Sequence, residues 1–263
     1  MKRFRAGVIG CGFFAQNHLN AWKEVEGGEL AAGCDADEGK AREAARRFGA
    51  PRFHTSAEEM LRAEALDFVD VVTQPVAHRP MVELAARHRG HVICQKPLAP
   101  GLEDARAMVE ACETAGVRLM VPENFRWQTP MRLLKAAAAS IGQLFFARII
   151  WRSAEDVYTN QPYLATDPRF IVYDLGVHLL DLARFYLGEA ESLSCVTRRV
   201  NPRIRAEDVA TILLRMAGGA ACVVELSFAS KLEEELFPET LVHLEGEAGS
   251  AVLGPHFDLT VVQ

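Results

Sequence analysis

The chain has 263 residues, 49% hydrophobic and 24% charged, the balance of a folded globular protein and not of a disordered, collagen-like or coiled-coil chain. Its 29 basic and 35 acidic side chains leave a formal net charge of −6 with no basic run, which argues against a nucleic-acid or anionic-membrane surface. No apolar stretch reaches the ~18–20 residues of a membrane helix, the N-terminal segment is too short and glycine-rich for a signal-peptide core, and the six cysteines have neither Cys-x-x-Cys pairing nor zinc-like spacing. A cytoplasmic protein with free thiols and no metal is expected.

The first half alternates strand and helix. Strands are predicted at Arg5–Ile9, Glu29–Cys34, Phe68–Thr73, His91–Cys94 and Val117–Val121. Helices are predicted at Phe13–Glu26, Glu38–Phe48, Ala77–His88 and Leu102–Ala115, with Gly49 and Gly27-Gly28 as stops. This order implies a parallel sheet with crossover helices. After Pro122 the rhythm changes. Helices at Met131–Ala139 and Leu175–Leu187 flank a strand at Gln143–Trp151 and a polar loop from about Ser153 to Phe170. Strands follow at Leu193–Val200, Asp208–Met216, Ala220–Phe228, Leu241–Glu245, Ser250–Leu253 and Leu259–Val262, with a hairpin at Ala217-Gly218-Gly219. The expected class is α/β: residues 1–122 with a parallel sheet, then residues 123–263 as an α+β domain with a large, mostly antiparallel open sheet.

Gly10-Cys11-Gly12-Phe13-Phe14-Ala15 follows the first strand and opens the first helix. Gly10 permits a tight turn, Gly12 lets a pyrophosphate approach the backbone, and Ala15 lets helix and strand pack closely. Phe13 and Phe14 supply backbone N–H groups at the helix N-terminus, which favours anions. Asp35 ends the second strand, 25 residues after Gly10, where an acid suits the ribose hydroxyls of NAD and repels the 2′-phosphate of NADP. Alone, the glycine pattern is also compatible with an ordinary strand-to-helix turn; Asp37 reads as a helix cap.

Lysine is scarce, six against 23 arginines. Lys96, in Gln95-Lys96-Pro97, directly follows a buried-looking strand at the sheet edge where ligands bind; its bond to Pro97 is a candidate cis peptide. Thr73-Gln74-Pro75 and His78 end the preceding strand at the same edge, as cofactor wall or as a plain helix start. Further on, Asp174 and His178 are four apart and share a predicted helix face, with Asp181 close to it. Oxidising an alcohol requires a group to take the hydroxyl proton; a histidine does this near neutral pH, a carboxylate orients it, and a lysine stabilises alkoxide charge. Taken alone, the Asp–His pair reads better as a helix cap beside a buried histidine.

Together, Gly10-x-Gly12-x-x-Ala15, Asp35, Thr73–His78, Gln95-Lys96-Pro97, Asn124-Phe125-Arg126 and Asp174-x-x-x-His178-x-x-Asp181 resemble, in order and spacing, the Gfo/Idh/MocA family of nicotinamide-dependent sugar oxidoreductases over essentially the whole chain. The resemblance implies an N-terminal Rossmann domain and a C-terminal domain for substrate binding and oligomerisation, with a homodimer or homotetramer formed through the C-terminal sheet. It implies NAD-dependent oxidation of a sugar or polyol hydroxyl, with Lys96, Asp174 and His178 catalytic and His178 the proton acceptor. Lys96 and Asn124 would touch both nicotinamide and substrate, and Tyr163, in the loop before Asp174, is a substrate candidate. NAD-retaining glycosidase chemistry and a non-catalytic dinucleotide sensor are the alternatives on the same scaffold. One departure stands out: the family usually has Glu-Lys-Pro where this chain has Gln95-Lys96-Pro97. With Glu123–Arg126 and Gln161-Pro162-Tyr163, that variant is similar to one sugar-dehydrogenase branch of the family. Because the chain stops inside a predicted strand at Thr260–Gln263, the resemblance further implies that it is naturally short or that a C-terminal segment is absent from the sequence.

Overall fold

A computed structural model describes residues 3–263. The chain forms two compact units, Met1–Pro122 and Glu123–Gln263, each with its own core.

In the first unit, strands β1 (Phe4–Ile9), β2 (Gly28–Cys34), β3 (Arg52–His54), β4 (Phe68–Val71), β5 (His91–Cys94) and β6 (Leu119–Met120) form a parallel sheet in the order β3-β2-β1-β4-β5-β6. The helices are α1 (Ala15–Glu24), α2 (Glu38–Phe48), α3 (Ala57–Ala63), α4 (Pro75–Arg87) and α5 (Leu102–Ala115). Central strands buried on both faces read as apolar runs, as Ala6, Val8, Val69, Val71 and Val92 show, each essentially inaccessible. The Asp37 side chain caps α2 by accepting from Lys40 N at 3.2 Å, and Gly49 ends it at φ +77°.

Several elements differ from the sequence reading. β3 and α3 were not foreseen; β3 has three residues, too few to show a period, and α3 is announced only by its cap, Ser56, which accepts from Glu59 N at 3.3 Å. The first helix begins at Ala15, not Phe13, because the preceding residues form the glycine-rich turn. The last parallel strand shrinks to Leu119–Met120. Val117 N is already bonded to Cys112 O at 2.9 Å, closing the end of α5 around Gly116 at φ +68°.

In the second unit, β7 (Leu144–Arg152), β8 (Ala190–Arg198), β9 (Val209–Met216), β10 (Ala221–Ser227), β11 (Leu241–Gly246), β12 (Gly249–Leu253) and β13 (Leu259–Val262) form a sheet in the order β13-β12-β11-β7-β10-β9-β8. Every pairing is antiparallel except β7 with β10. Helices α6 (Thr129–Ala138) and α8 (Val177–Leu187) accompany it, and a one-turn helix α7 (Tyr163–Thr166) interrupts the long loop. The strands alternate as a half-covered sheet should. Ala147, Ile149 and Trp151 of β7 join Met131, Leu134, Leu179 and Leu182 in the core. On the other face Glu225 of β10 accepts from Arg148 and Arg152 at 2.6 Å each. No helix among the described residues is long and apolar enough to cross a membrane.

Candidate functional site

The carboxyl ends of four parallel strands lie in one row. Cys34 pairs with Ile9, Ile9 with Val71, and Val71 with Cys94. The next residues continue it: Gly10 N donates to Cys34 O (2.8 Å), Val72 N to Ile9 O (2.8 Å), and Gln95 N to Val71 O (2.9 Å). Residues distant in sequence therefore leave the sheet together: the glycine-rich turn after β1, Asp35 after β2, Thr73-Gln74-Pro75 after β4 and Gln95-Lys96-Pro97 after β5. The strand order reverses between β1 and β4, the crevice at which open α/β sheets bind ligands.

The turn is built for a dinucleotide. Gly10 has φ +96°, and a Cβ there would lie 2.4 Å from Val72 O, so only glycine fits. At Gly12 a Cβ would meet nothing within 4 Å, which leaves the backbone open to a ligand. Ala15 is buried against Val8 and Leu19, so helix and strand approach closely. No side chain caps the N-terminus of α1 and no acid lies in its first turn, leaving N–H groups directed at an anion. Phe13 and Phe14 are exposed beside it. Asp35 accepts from Cys11 N (2.8 Å) and Asp37 N (2.9 Å), which fixes its carboxylate next to the turn. These residues fit NAD. Burial pushes the Cys11 thiol up to about 12, with smaller contributions from Asp35 and Cys34, so it remains a neutral thiol.

The Lys96–Pro97 peptide is cis. Gln95 is buried, Lys96 half-buried, and Lys96 N donates to Gln95 Oε1 at 2.5 Å. His78 sits beneath the surface at this edge. It has no accessible surface, and its ring nitrogens lie 3.0 Å from Leu98 O and 3.1 Å from Thr73 O. Burial lowers its pKa against the opposing pull of these carbonyls, and the ring lies between two loops of this edge.

In the second unit, Glu123 to Trp127 run beside α8. Phe125–Trp127 is a single 3₁₀ turn that Asn124, exposed, precedes. Phe125 stacks on the His178 ring, centroids 4.1 Å apart and 4° from parallel. His178 Nδ1 lies 2.6 Å from Glu123 Oε1, which also accepts from Phe125 N at 3.2 Å. One helical turn on, Arg126 Nε donates to Asp181 at 2.6 Å. A three-residue spacing on both segments thus produces two clamps.

This arrangement changes two expectations. Ile171–Gly176 forms a π turn, with α8 proper starting at Val177. The carboxylate on His178 Nδ1 is Glu123, and Asp181 serves Arg126. Glu123 carried no assigned role in the sequence because its partner lies 55 residues away; its one cue is its place directly before Asn124-Phe125-Arg126. Tyr163 Oη donates to Gln161 Oε1 at 2.9 Å. Its phenol is pushed up to about 12 by burial first, then by the Asp174 and Asp167 carboxylates, so Tyr163 and Asp174 share a neighbourhood. Among the described residues no group of three or more His, Cys, Asp or Glu side chains is arranged to hold a metal.

Residues 4–123 match the Gfo/Idh/MocA family model described as an oxidoreductase family with an NAD-binding Rossmann fold, and residues 133–252 match the Gfo/Idh/MocA C-terminal domain. The chain is 50% identical to D-apiose dehydrogenase of Paraburkholderia graminis, over 99% of this chain and 70% of that protein. It is 47% identical to D-apiose dehydrogenase of Rhizobium rhizogenes, over 99% of this chain and 76% of that protein. An Agrobacterium radiobacter oxidoreductase, solved in complex with NAD+, L-tartaric acid and magnesium, superposes with a TM-score of 0.97 at 46% identity, over 99% of this chain and 77% of that one.

Proposed function

The chain belongs to the Gfo/Idh/MocA oxidoreductase family and is an NAD-dependent dehydrogenase of sugars or polyols; from that premise we propose that it oxidises a secondary or hemiacetal hydroxyl of D-apiose or a closely similar sugar, with His178 as the base. Identities of 50% and 47% over nearly the whole chain support the substrate.

NAD, when bound, supplies the hydride acceptor. The N–H groups of the Gly10–Ala15 turn would hold its pyrophosphate, and Asp35 would accept from its ribose hydroxyls. Thr73, Gln74, Pro75, Lys96 and Pro97 would form the wall beside the nicotinamide. As the C–H bond electrons leave carbon with the hydride, the substrate O–H bond breaks, a carbonyl forms, and His178 Nε2 takes the proton. Lys96 stabilises the charge developing on oxygen, and Asp174 and Tyr163 bind neighbouring hydroxyls.

The observation that carries this chemistry is the buried His178 with Nδ1 at 2.6 Å from Glu123 Oε1. A carboxylate accepts only, so Nδ1 carries the hydrogen, which leaves Nε2 as the nitrogen that faces the substrate proton in the proposed reaction. The test is NADH formation with a panel of aldoses, inositols and lactones, for the wild type, His178→Ala and Lys96→Met. Turnover on D-apiose that either substitution abolishes is expected; full turnover in either variant overturns the mechanism, and a strong preference for another sugar overturns the substrate.

The oligomeric state is part of the same proposal. Val196 and Leu213 stand exposed on the outer face of the seven-stranded sheet, and self-association of that face in a homodimer or homotetramer would cover them. Light scattering on the purified protein tests it. The cysteines are all free, which supports a cytoplasmic location.

A further inference from the structure

Beneath Lys96 runs a chain of hydrogen bonds that begins at a buried carboxylate. Asp70, on β4, is 1% exposed. An ionised carboxylate at such a place needs donors, and two residues one helical turn apart on α1 supply them: Trp22 Nε1 at 2.9 Å and His18 Nδ1 at 2.9 and 3.0 Å from the two oxygens. On its far side His18 Nε2 lies 3.0 Å from Gln95 Nε2, and Gln95 Oε1 accepts from the backbone N–H of Lys96. The ring also meets Phe14 of the glycine-rich turn edge-on, centroids 5.9 Å apart.

The donor and acceptor at each link are determined. Asp70 only accepts, so His18 Nδ1 carries a hydrogen. The Lys96 N–H only donates, so Gln95 turns its carbonyl to it. The Gln95 amide nitrogen must then donate to His18 Nε2, which is a bare lone pair. Protonating His18 Nε2 would set donor against donor at Gln95, and reversing the Gln95 amide would set donor against donor at Lys96.

We propose that His18 and Gln95 are positioning residues for Lys96: the Asp70–His18–Gln95 relay, with His18 held neutral as the Nδ1–H tautomer, fixes the Lys96 backbone and ties it to the glycine-rich turn. The inference rests on the reading of Lys96 as a catalytic residue. A misplaced catalytic group costs rate with little effect on affinity, so the relay acts on kcat.

Three measurements test it. The first is ¹⁵N-histidine NMR of the wild-type protein with NAD, assigned through His18→Leu; the expected signature is one protonated nitrogen, Nδ1, on His18. An Nε2–H tautomer or an imidazolium overturns the relay. The second compares kcat with NAD affinity, from NADH fluorescence titration, in Gln95→Leu, His18→Leu and the double variant. Each single variant is expected to lose roughly 10–100-fold in kcat with NAD affinity changed by about twofold or less, and the double variant to lose no more than the worse single one. Unchanged kcat, or losses that multiply in the double variant, overturn the relay. The third is Gln95→Glu, whose carboxylate still accepts from Lys96 N–H; it is expected to recover most of the turnover lost in Gln95→Leu while its His18 signals move to the imidazolium. A Gln95→Glu no faster than Gln95→Leu counts against the relay. Lys96→Met separates the two readings: an inactive Lys96→Met beside fully active His18 and Gln95 variants defeats the relay alone, whereas an active Lys96→Met defeats the catalytic role of Lys96 and the relay with it.

Discussion

Glu123 Oε1 and His178 Nδ1 lie 2.6 Å apart, with Phe125 stacked on the imidazole and donating its own N–H to the same oxygen. One carboxylate thus fixes the ring and the turn beside it. Removing the charge while keeping the shape tests what that contact does. Glu123→Gln turns an acceptor-only group into one that also donates, so His178 is no longer restricted to one tautomer. A fall in kcat of roughly 10²-fold or more is expected, with NAD affinity unchanged by fluorescence titration. A Glu123→Gln protein with wild-type kcat would assign the contact to packing.

Two glycines in one turn predict opposite outcomes for the same substitution. Gly10→Ala places a Cβ 2.4 Å from Val72 O at φ +96°. A loss of roughly 1–3 kcal/mol or more is expected, visible as a lowered Tm. Gly12→Ala meets no protein atom within 4 Å, so Tm is expected to hold while Kd for NAD rises, as the methyl group enters the space assigned to the pyrophosphate.

Asp35 bonds the backbone on both sides of it, at Cys11 N and Asp37 N. Asp35→Ser shortens the side chain and removes its charge. The ratio of kcat/KM for NAD to that for NADP is expected to fall at least tenfold, because the repulsion of a 2′-phosphate is gone. An unchanged ratio would place cofactor selection elsewhere.

Phe170 has no exposed surface, stacks on Phe228 at 5.1 Å, and bonds its carbonyl to Asp174 N at 2.7 Å. Phe170→Ala is expected to destabilise the fold by about 3–5 kcal/mol in chemical denaturation. Since the cavity lies under the turn that carries Asp174, kcat on the best sugar substrate is expected to fall in protein that remains folded.

The buried thiols predict alkaline behaviour. Burial, with smaller contributions from Asp35 and Glu59, raises Cys34 from an ordinary value of 9.0 to about 11. A group that holds its proton more tightly when folded contributes stability in full below the unfolded value, and that stability declines as pH rises from about 9 through about 11. Tm is expected to fall over that window, and less steeply in Cys34→Ala; equal slopes would assign the fall to other groups.

Much of this protein is legible along the chain. The alternation of apolar strands and capped helices to Pro122 is local, because each strand is an apolar run and each helix carries its own stop, as Gly49 and Gly116 illustrate. The glycine-rich turn, Asp35 and Lys96 are recognisable for the same reason, each being marked by its distance from a strand end. What the tertiary structure alone decided is partnership. The spacing of Asp174 and His178 pointed to a pair along one helix, but the carboxylate 2.6 Å from the imidazole Nδ1 is Glu123, 55 residues earlier. His78 is buried between two loops of the sheet edge, and His18 and Asp70, unmarked in the sequence, are linked by hydrogen bonds through Gln95 to the Lys96 backbone. A hydrogen bond depends on which atoms come within about 3 Å, and packing places those atoms together from strands and helices whose separation in sequence carries no trace of it.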